Sequence, residues 1–456
     1  MDSTESLQTP ERSAFPAIRD ALSIVYRSIN ELKLDPRNPR VHTRRQIKQI
    51  AKSISTFGFN VPVLVDADLN VIAGHGRVLA CRQLDWTMVP TISLGHLTPA
   101  QAKAFLIADN RLTENSEWND RLLAEQLKEL SLLDLTFELD VIGFEMAEID
   151  LRIESLDEVE TAVEDPADEI PAEAGPAVSK PGDIWDLGKH RIVCGSALET
   201  ATYGVLLENS MADLVFVDPP FNVKINGHVS GNGAIRHREF AMASGEMTEA
   251  QFTDFLRQTC QQLAAHSADG AVHYVCMDWR HVGELLAAGG DAYSELLNIC
   301  VWAKHNAGMG SLYRSQHELV FVFKNGDACH CNNVQLGKFG RNRTNIWQYR
   351  GINDFGRETE EGNLLAMHPT VKPVALVADA ILDCSHRGDI VLDAFLGSGT
   401  TLIACERTGR RCRGIEIDSL YVDTAIRRWR KHTGADAVHA ATGKTFSAVE
   451  EELSDV

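Results

Sequence analysis

The stretch DIVLDAFLGSGTTLIACERTGRRCRGIEIDSLYVDTAIRRW, Asp389 to Trp429, limits the fold more than any other part of the chain. Ile390 to Leu392 is a short, uninterrupted apolar run, the pattern of a strand covered on both faces. Asp393 to Gly399 follows as a loop, and a helix opens near Thr400. Arg413 to Ile417 predicts a second strand that closes on Asp418, with another helix beginning near Tyr421. Strand, helix and strand at this spacing make a βαβ unit, because parallel strands need a long crossover between them. The fold class is therefore α/β, and ligands of such sheets sit beyond the carboxyl ends of the strands.

The loop narrows the ligand. It reads Phe395-Leu396-Gly397-Ser398-Gly399-Thr400-Thr401 and lacks the Gly-Lys-Ser/Thr of a phosphate-gripping P-loop. The dinucleotide pattern GxGxxG is also incomplete, since only Gly397 and Gly399 are present. Glu416 and Asp418, at the end of the next strand, suit ribose hydroxyls. Small residues after one strand and acids after the next fit a nucleoside-bearing cofactor without a pyrophosphate, the outline of S-adenosyl-L-methionine.

Upstream, DLVFVDPPFNV runs as a buried strand from Leu214 to Val217 and stops on Asp218, Pro219, Pro220 and Phe221. The proline rings fix φ, so the Pro219 carbonyl direction is rigid beside the Asp218 carboxylate. Taken alone, the same residues equally serve to end a strand and fill a core.

Together, Asp393 to Thr401 and Asp218 to Phe221 resemble the motifs of the beta group of amino-group DNA methyltransferases. His368-Pro369-Thr370-Val371-Lys372-Pro373 is similar to the HPTxKP element of that group, and the resemblance covers about Gly182 to Thr433. It implies a circularly permuted Rossmann-like domain that depends on S-adenosyl-L-methionine, with the catalytic motif before the cofactor motif. It assigns catalysis to Asp218, Pro219, Pro220 and Phe221. To the cofactor it assigns Asp393, Phe395, Gly397, Ser398, Gly399, Thr400, Thr401, Glu416, Asp418, His368 and Lys372. Ser196 joins them where the family often has an Asp, and Phe221 replaces the more frequent Tyr. Such an enzyme takes its target base out of the duplex. An Asp at the first catalytic position goes with adenine N6 more often than with cytosine N4. The alternatives are a cytosine-N4 enzyme, a DNA-organising protein with a vestigial methylase half, and a methyltransferase of RNA or of protein glutamine.

Before this half, PVLVDADLNVIAGHGRVLACRQLDW predicts strand, turn, strand, glycine loop and helix. The loop, Gly74-His75-Gly76-Arg77, is a candidate phosphate or nucleic-acid site. Arg37, Arg40, Arg44, Arg45, Lys48 and Lys52 precede it as a candidate backbone-binding helix, and Leu97 to Phe144 has a helical pattern. IAGHGRVLA, VPTI and IADNRLTENSEWND through IGF resemble the ParB-like N-domain, which implies a smaller α+β domain with a helical extension and an association with DNA. The expected domains are a tail over 1–30, the ParB-like domain over 31–96, the helical extension over 97–152 and an acidic linker over 153–181. The methyltransferase domain follows over 182–433, with a target-recognition region over about 325–367 and a tail over 434–456.

The net charge of −20 disfavours phosphate contact at first sight, but nine acidic residues and no Lys or Arg lie between Glu154 and Glu173. That segment reads as solvated, so surfaces elsewhere remain free to be basic. Lys338, Arg341, Arg343, Arg350 and Arg357 alternate with Phe339, Trp347, Tyr349 and Phe355, which predicts a DNA-binding region. Lys224 to Arg238 is a candidate segment to close over a flipped base. The first residues lack the apolar core of a signal peptide, and no apolar run suits a bilayer. The ten cysteines include no CxxC pair, and Cys329-His330-Cys331 is too crowded for a metal site. The expectation is a cytoplasmic protein with reduced thiols, no metal and no membrane contact. Its expected partner is double-stranded DNA, with a cognate restriction endonuclease and a homodimer as candidates.

Overall fold

The computed structural model describes all residues except 1–21, 117, 134, 157–164, 172–175, 223–244, 305–311, 335–340, 350–370 and 455–456. The chain divides into two compact units, Met1–Glu145 and Met146–Val456.

The first unit holds β1 (Ile24–Ser28), α1 (Arg44–Phe57), β2 (Val63–Val65), β3 (Val71–Ala73), α2 (His75–Gln83), β4 (Met88–Ser93), α3 (Pro99–Glu114) and α4 (Asp120–Leu132). Its sheet has the order β1-β4-β2-β3. Val63, Val65, Val71, Val78 and Val89 are buried together beneath α1 and α2. The expected tail over 1–30 is corrected here, because Ile24 to Ser28 pairs in register with Ile92 to Met88. The alternating β-branched and aromatic residues Ile24, Val25 and Tyr26 suit that edge position. Three cations of the basic stretch are paired with acids at the surface. Arg40 pairs with Glu114, Arg45 with Glu145, and Lys52 with Glu138 and Asp140.

The second unit opens with α5 (Met146–Glu154), then β5 (Ile184–Leu187), β6 (His190–Cys194), α6 (Thr200–Leu207), β7 (Ala212–Val217), α7 (Glu249–Ala265), β8 (Ser267–Met277) and α8 (Val282–Ala292). There follow β9 (Glu295–Ala303), β10 (His317–Lys324), β11 (Ile346–Gln348), α9 (Val374–Cys384), β12 (Ile390–Asp393), α10 (Thr400–Thr408), β13 (Arg411–Glu416), α11 (Ser419–Thr433), β14 (Val438–His439) and α12 (Phe446–Ser454). The ten strands form one sheet in the order β11-β9-β10-β8-β7-β12-β13-β6-β5-β14. Successive side chains of β7 point to opposite faces. Leu214 and Phe216 join the core under α9, α10 and α11, while Val215 and Val217 join the core under α6, α7 and α8. That is why the strand reads as continuously apolar.

β8, β7, β12, β13 and β6 run parallel. From β7 the chain crosses to β8 on one side, and from β12 it crosses to β13 on the other. The adjacent pair β7 and β12 is therefore the point where the winding reverses, and a crevice opens there beyond the strand ends.

Three expected boundaries shift. The segment over 434–456 is no tail, because β14 pairs with β5 and Phe446 is fully buried against Trp185. α5 belongs to the second unit rather than to the helical extension. Its Asp150 is buried between Arg387 and Arg410, at 2.9 Å from each. The described parts of the acidic segment are also docked rather than solvated. Asp165 pairs with Arg407, Ala167 O accepts from Arg428, and the Val178 and Ser179 N–H groups donate to buried Asp423. Composition alone could not show this, because the cations that fix these acids lie more than two hundred residues away in sequence.

Asp150→Ala strands two arginines in the interior. It should lower the unfolding free energy of the full chain by roughly 3–5 kcal/mol, the usual cost of breaking a buried pair, as read by urea denaturation followed at the tryptophans.

Candidate active site

The site is built from the ends of four adjacent parallel strands. Cys194 pairs with Glu416, Gly414 with Asp393, and Leu392 with Val215. Register alone thus brings Ser196, the loop after Asp393, Glu416 and Asp218 to one edge of the sheet.

The loop after β12 is held from inside. Asp393 is buried; Oδ1 accepts the Phe395 N–H at 2.9 Å and Oδ2 accepts the Thr401 hydroxyl at 2.6 Å. Glu416 Oε2 accepts the Gly397 N–H at 2.8 Å, and Oε1 accepts the Asp418 N–H at 2.9 Å. Gly397 and Gly399 have φ of 52° and 86°, the left-handed region that favours glycine. A Cβ on Gly399 would also come within 2.9 Å of Ala425 Cβ, so this loop must pass bare against α11. Arg428, buried on α11, donates to Ser398 O and to Thr400 Oγ1 at 3.2 and 3.0 Å. Sequence reading missed this clamp, because Arg428 sits among the surface-like basic residues RRWRK. Asp418 Oδ1 caps α11 through the Leu420 N–H, and Ser196 Oγ accepts from the Leu198 N–H.

With no cation beside them among the described residues, Asp393 and Glu416 are hard to ionise. Burial pushes both Asp393 and Glu416 up to about 7, against the pull of their hydrogen bonds. The charge of Asp218 also raises Asp393. Bare glycines, buried backbone and acids with spare lone pairs fit a nucleoside with hydroxyl donors.

Asp218 ends β7. Its Oδ1 has almost no solvent contact and no hydrogen-bond partner among the described residues, while Oδ2 accepts from Lys372 Nζ at 2.6 Å. Lys372 is itself buried and pairs with Glu318 Oε1 at 2.6 Å; Lys304 Nζ reaches Glu318 Oε2 at 2.8 Å. The expectation that Lys372 holds the cofactor is corrected: its ammonium is committed to two carboxylates on the catalytic side. Lys372 Nζ also lies 5.6 Å from the Phe221 ring centre and 5.9 Å from that of Trp302. Phe221 is half-buried and packs on both cores, so part of its ring serves the interior. Pro219 is buried and Pro220 half-buried. Asn222, in the left-handed region, accepts from Gly245 N and Met247 N and donates to Met247 O, bridging the two ends of the 223–244 segment. Burial pushes Asp218 up to about 6, against the pull of Lys372. Glu318, Lys304 and Asn222 escaped sequence reading because they carry no motif and meet Asp218 only through the fold.

These features agree with two family models: "DNA methylase" over residues 212–427 and "ParB-methyltransferase HTH domain" over residues 121–181. The chain belongs to the N6/N4 DNA methylases. It is 21% identical over 252 residues to the type II methyltransferase M.HpaI of Haemophilus parainfluenzae, covering 52% of this chain and 73% of that protein. The N-terminal part of the methylase is 44% identical over 82 residues to the ParB-like nuclease domain-containing protein YnaK of Escherichia coli (strain K12), covering 18% of this chain and 94% of that protein. Among solved structures, the PvuII DNA methyltransferase (cytosine-N4-specific) matches with a TM-score of 0.39 at 16% identity, over 57% of this chain and 89% of that one. The helix-turn-helix match spans the expected boundary between helical extension and linker, which the sequence reading did not anticipate.

The expected DNA-binding arginines are corrected in part. Arg341 is buried and paired with Glu154, Asp379 and Asp383, each at 2.9 Å. Arg343 pairs with Asp379 and Asp383 at 2.8 and 3.0 Å and donates to Tyr349 Oη. The reason lies in α9, an otherwise apolar helix with Asp379 and Asp383 four residues apart on one face; those inward acids need counter-charges. Trp347 is likewise core. Lys338, Arg350, Arg357, His368 and the segment Lys224 to Arg238 lie outside the described residues.

In the first unit of the methylase, the glycine pair has a packing role. Gly74, at φ 104°, is the N-cap of α2. A Cβ on Gly76 would come within 2.9 Å of Ile50 Cδ1, so Gly76 lets α1 and α2 approach closely. Arg77 Nη1 donates to the Val61 and Pro62 carbonyls, and its guanidinium is spent on the backbone. His75 is buried, with Nε2 lacking a partner.

Arg341→Ala removes the counter-charge of three acids. It should cost roughly 3–5 kcal/mol in denaturant unfolding and leave the salt dependence of DNA binding by the folded fraction unchanged. A flattened salt slope with unchanged stability would restore the DNA-contact reading.

Proposed function

We propose that the chain methylates the exocyclic amino group of adenine N6 in double-stranded DNA at a specific sequence, after the base leaves the helix. The observation that carries this reading is the Asp218 carboxylate just after β7, whose Oδ2 takes Lys372 while its Oδ1 is buried and unpartnered among the described residues. Such an oxygen is an acceptor without a donor, and an unmet acceptor of this kind is costly unless a substrate supplies the hydrogen.

When bound, S-adenosyl-L-methionine supplies an electrophilic methyl group on a sulfonium. Glu416 would take its ribose hydroxyls, and the loop from Phe395 to Thr401 would lie along its adenosine and amino-acid parts. Asp218 Oδ1 and the Pro219 carbonyl would each accept one hydrogen of the target NH2. That draws the nitrogen lone pair out of conjugation with the base and aims it at the methyl carbon. Asp218 would take the proton that the nitrogen sheds on methylation. Rate comes from orientation and from electrostatics set before the substrate arrives. Phe221 would give the flipped base a face to stack on. Asp at position 218 favours adenine over cytosine, as in the family pattern.

Asp218→Ala should lower turnover on unmethylated bacterial genomic DNA by roughly 10²- to 10⁴-fold while S-adenosylmethionine binding, read by calorimetry, persists. Turnover close to wild type would refute the role. Because the acceptor must be ionised, the acid limb of kcat/KM should fall near pH 6, where burial pushes Asp218. Expression in a methylation-deficient bacterium, followed by modification-sensitive sequencing, tells N6-methyladenine from N4-methylcytosine and reports the recognised sequence.

A further inference from the structure

Four charged side chains from four separate places in the chain form a row that ends on the Asp218 carboxylate. Lys304, just after β9, reaches Glu318 near the start of β10 at 2.8 Å. Glu318 reaches Lys372, just before α9, at 2.6 Å, and Lys372 reaches Asp218 at 2.6 Å. Signs alternate along the row, so its net charge is zero. Glu318 and Lys372 keep only 7% and 4% of their side-chain exposure, whereas Lys304 keeps 34% and leads toward solvent. The Trp302 ring lies between the two ammoniums, 4.6 Å from Lys304 and 5.9 Å from Lys372.

A buried ammonium with one carboxylate as its sole partner would hold that partner fully as an anion and tie up its lone pairs. Glu318 prevents this. It takes half of the Lys372 charge, so Asp218 is left with one occupied oxygen and with a basicity suited to accepting the amino proton.

On the reading of Asp218 given above, we infer that Glu318 is a positioning residue for methyl transfer, acting through Lys372 to set the direction and basicity of Asp218. The other charged or titratable groups facing Asp218 are consistent with this. Asp393 on β12 lacks a cation, Cys276 on β8 is a thiol held neutral by burial, and Lys304 acts through Glu318. The charge of Glu318 raises Asp218, and those of Lys372 and Lys304 lower it. Glu318 itself is pushed up by burial, yet the two ammoniums hold it down, so it stays an anion throughout the working range.

The test uses the full chain, unmethylated bacterial genomic DNA and radiolabelled S-adenosylmethionine. Glu318→Gln removes the negative charge but keeps the shape. We expect kcat to fall by about tenfold or more, the dissociation constant for S-adenosylmethionine to stay within about twofold, and the acid limb to move to lower pH. Lys304→Met, at a half-exposed position that tolerates the change, should move the limb to higher pH. Glu318→Asp should return the limb toward wild type. Opposite displacements are the signature of a charge row, and a structural role moves neither limb. Limbs that stay in place, or move together, overturn the inference. If Glu318→Gln fails to fold, the Lys304→Met limb decides alone: an upward shift supports the row and no shift overturns it. If Asp218→Ala keeps turnover, the reading of Asp218 itself has failed; if it is inactive while the limbs are unmoved, only the role of Glu318 falls.

Discussion

The parallel pairing of β7 with β12 is the contact on which the rest of the methylase depends. Val391 lies beside Leu214 and Leu392 beside Val215, and the crossovers leave the two strands in opposite directions. The acceptor loop and the glycine loop open into the same crevice because hydrogen-bond register leaves them nowhere else to go. Both strands are buried on both faces, so a slip in register would carry apolar side chains off the core as well as separate the two loops.

Around that crevice, charge is divided between two sides. On the side proposed for the cofactor, Asp393 and Glu416 accept hydrogen bonds with no cation beside them among the described residues, and burial raises both. The acceptor side holds Asp218 and Glu318 with Lys372 and Lys304 interposed. One side suits neutral hydroxyl donors and the other an amine that must shed a proton. A methyl transfer between a nucleoside cofactor and a nucleobase needs both in adjacent places, with little reorganisation during reaction.

The acidic composition acquires a structural meaning in the same way. Asp150, Glu154, Asp165, Asp379, Asp383 and Asp423 are each matched to an arginine or to backbone N–H groups inside the second unit. Buried pairs of this kind add little net stability, but they exact a large cost when one partner is lost. They hold α5, the described residues 165–171 and 176–179, and α9 against the sheet. Part of the negative charge is thus internal scaffolding.

What the sequence by itself determined was local: the βαβ unit from Asp389 to Trp429, the strand ending at Asp218, and the glycine loop whose φ values only glycine adopts readily. Each depends on residues within a few positions of one another, so period and turn chemistry report it directly. The tertiary structure alone decided which charges meet. Arg341 and Arg343 read as DNA contacts until α9 places two acids against them, and Lys372 reads as a cofactor ligand until β10 brings Glu318 to its ammonium. An ion pair depends on distance in space, and a chain that folds over two hundred residues back onto itself carries no local pattern for that distance.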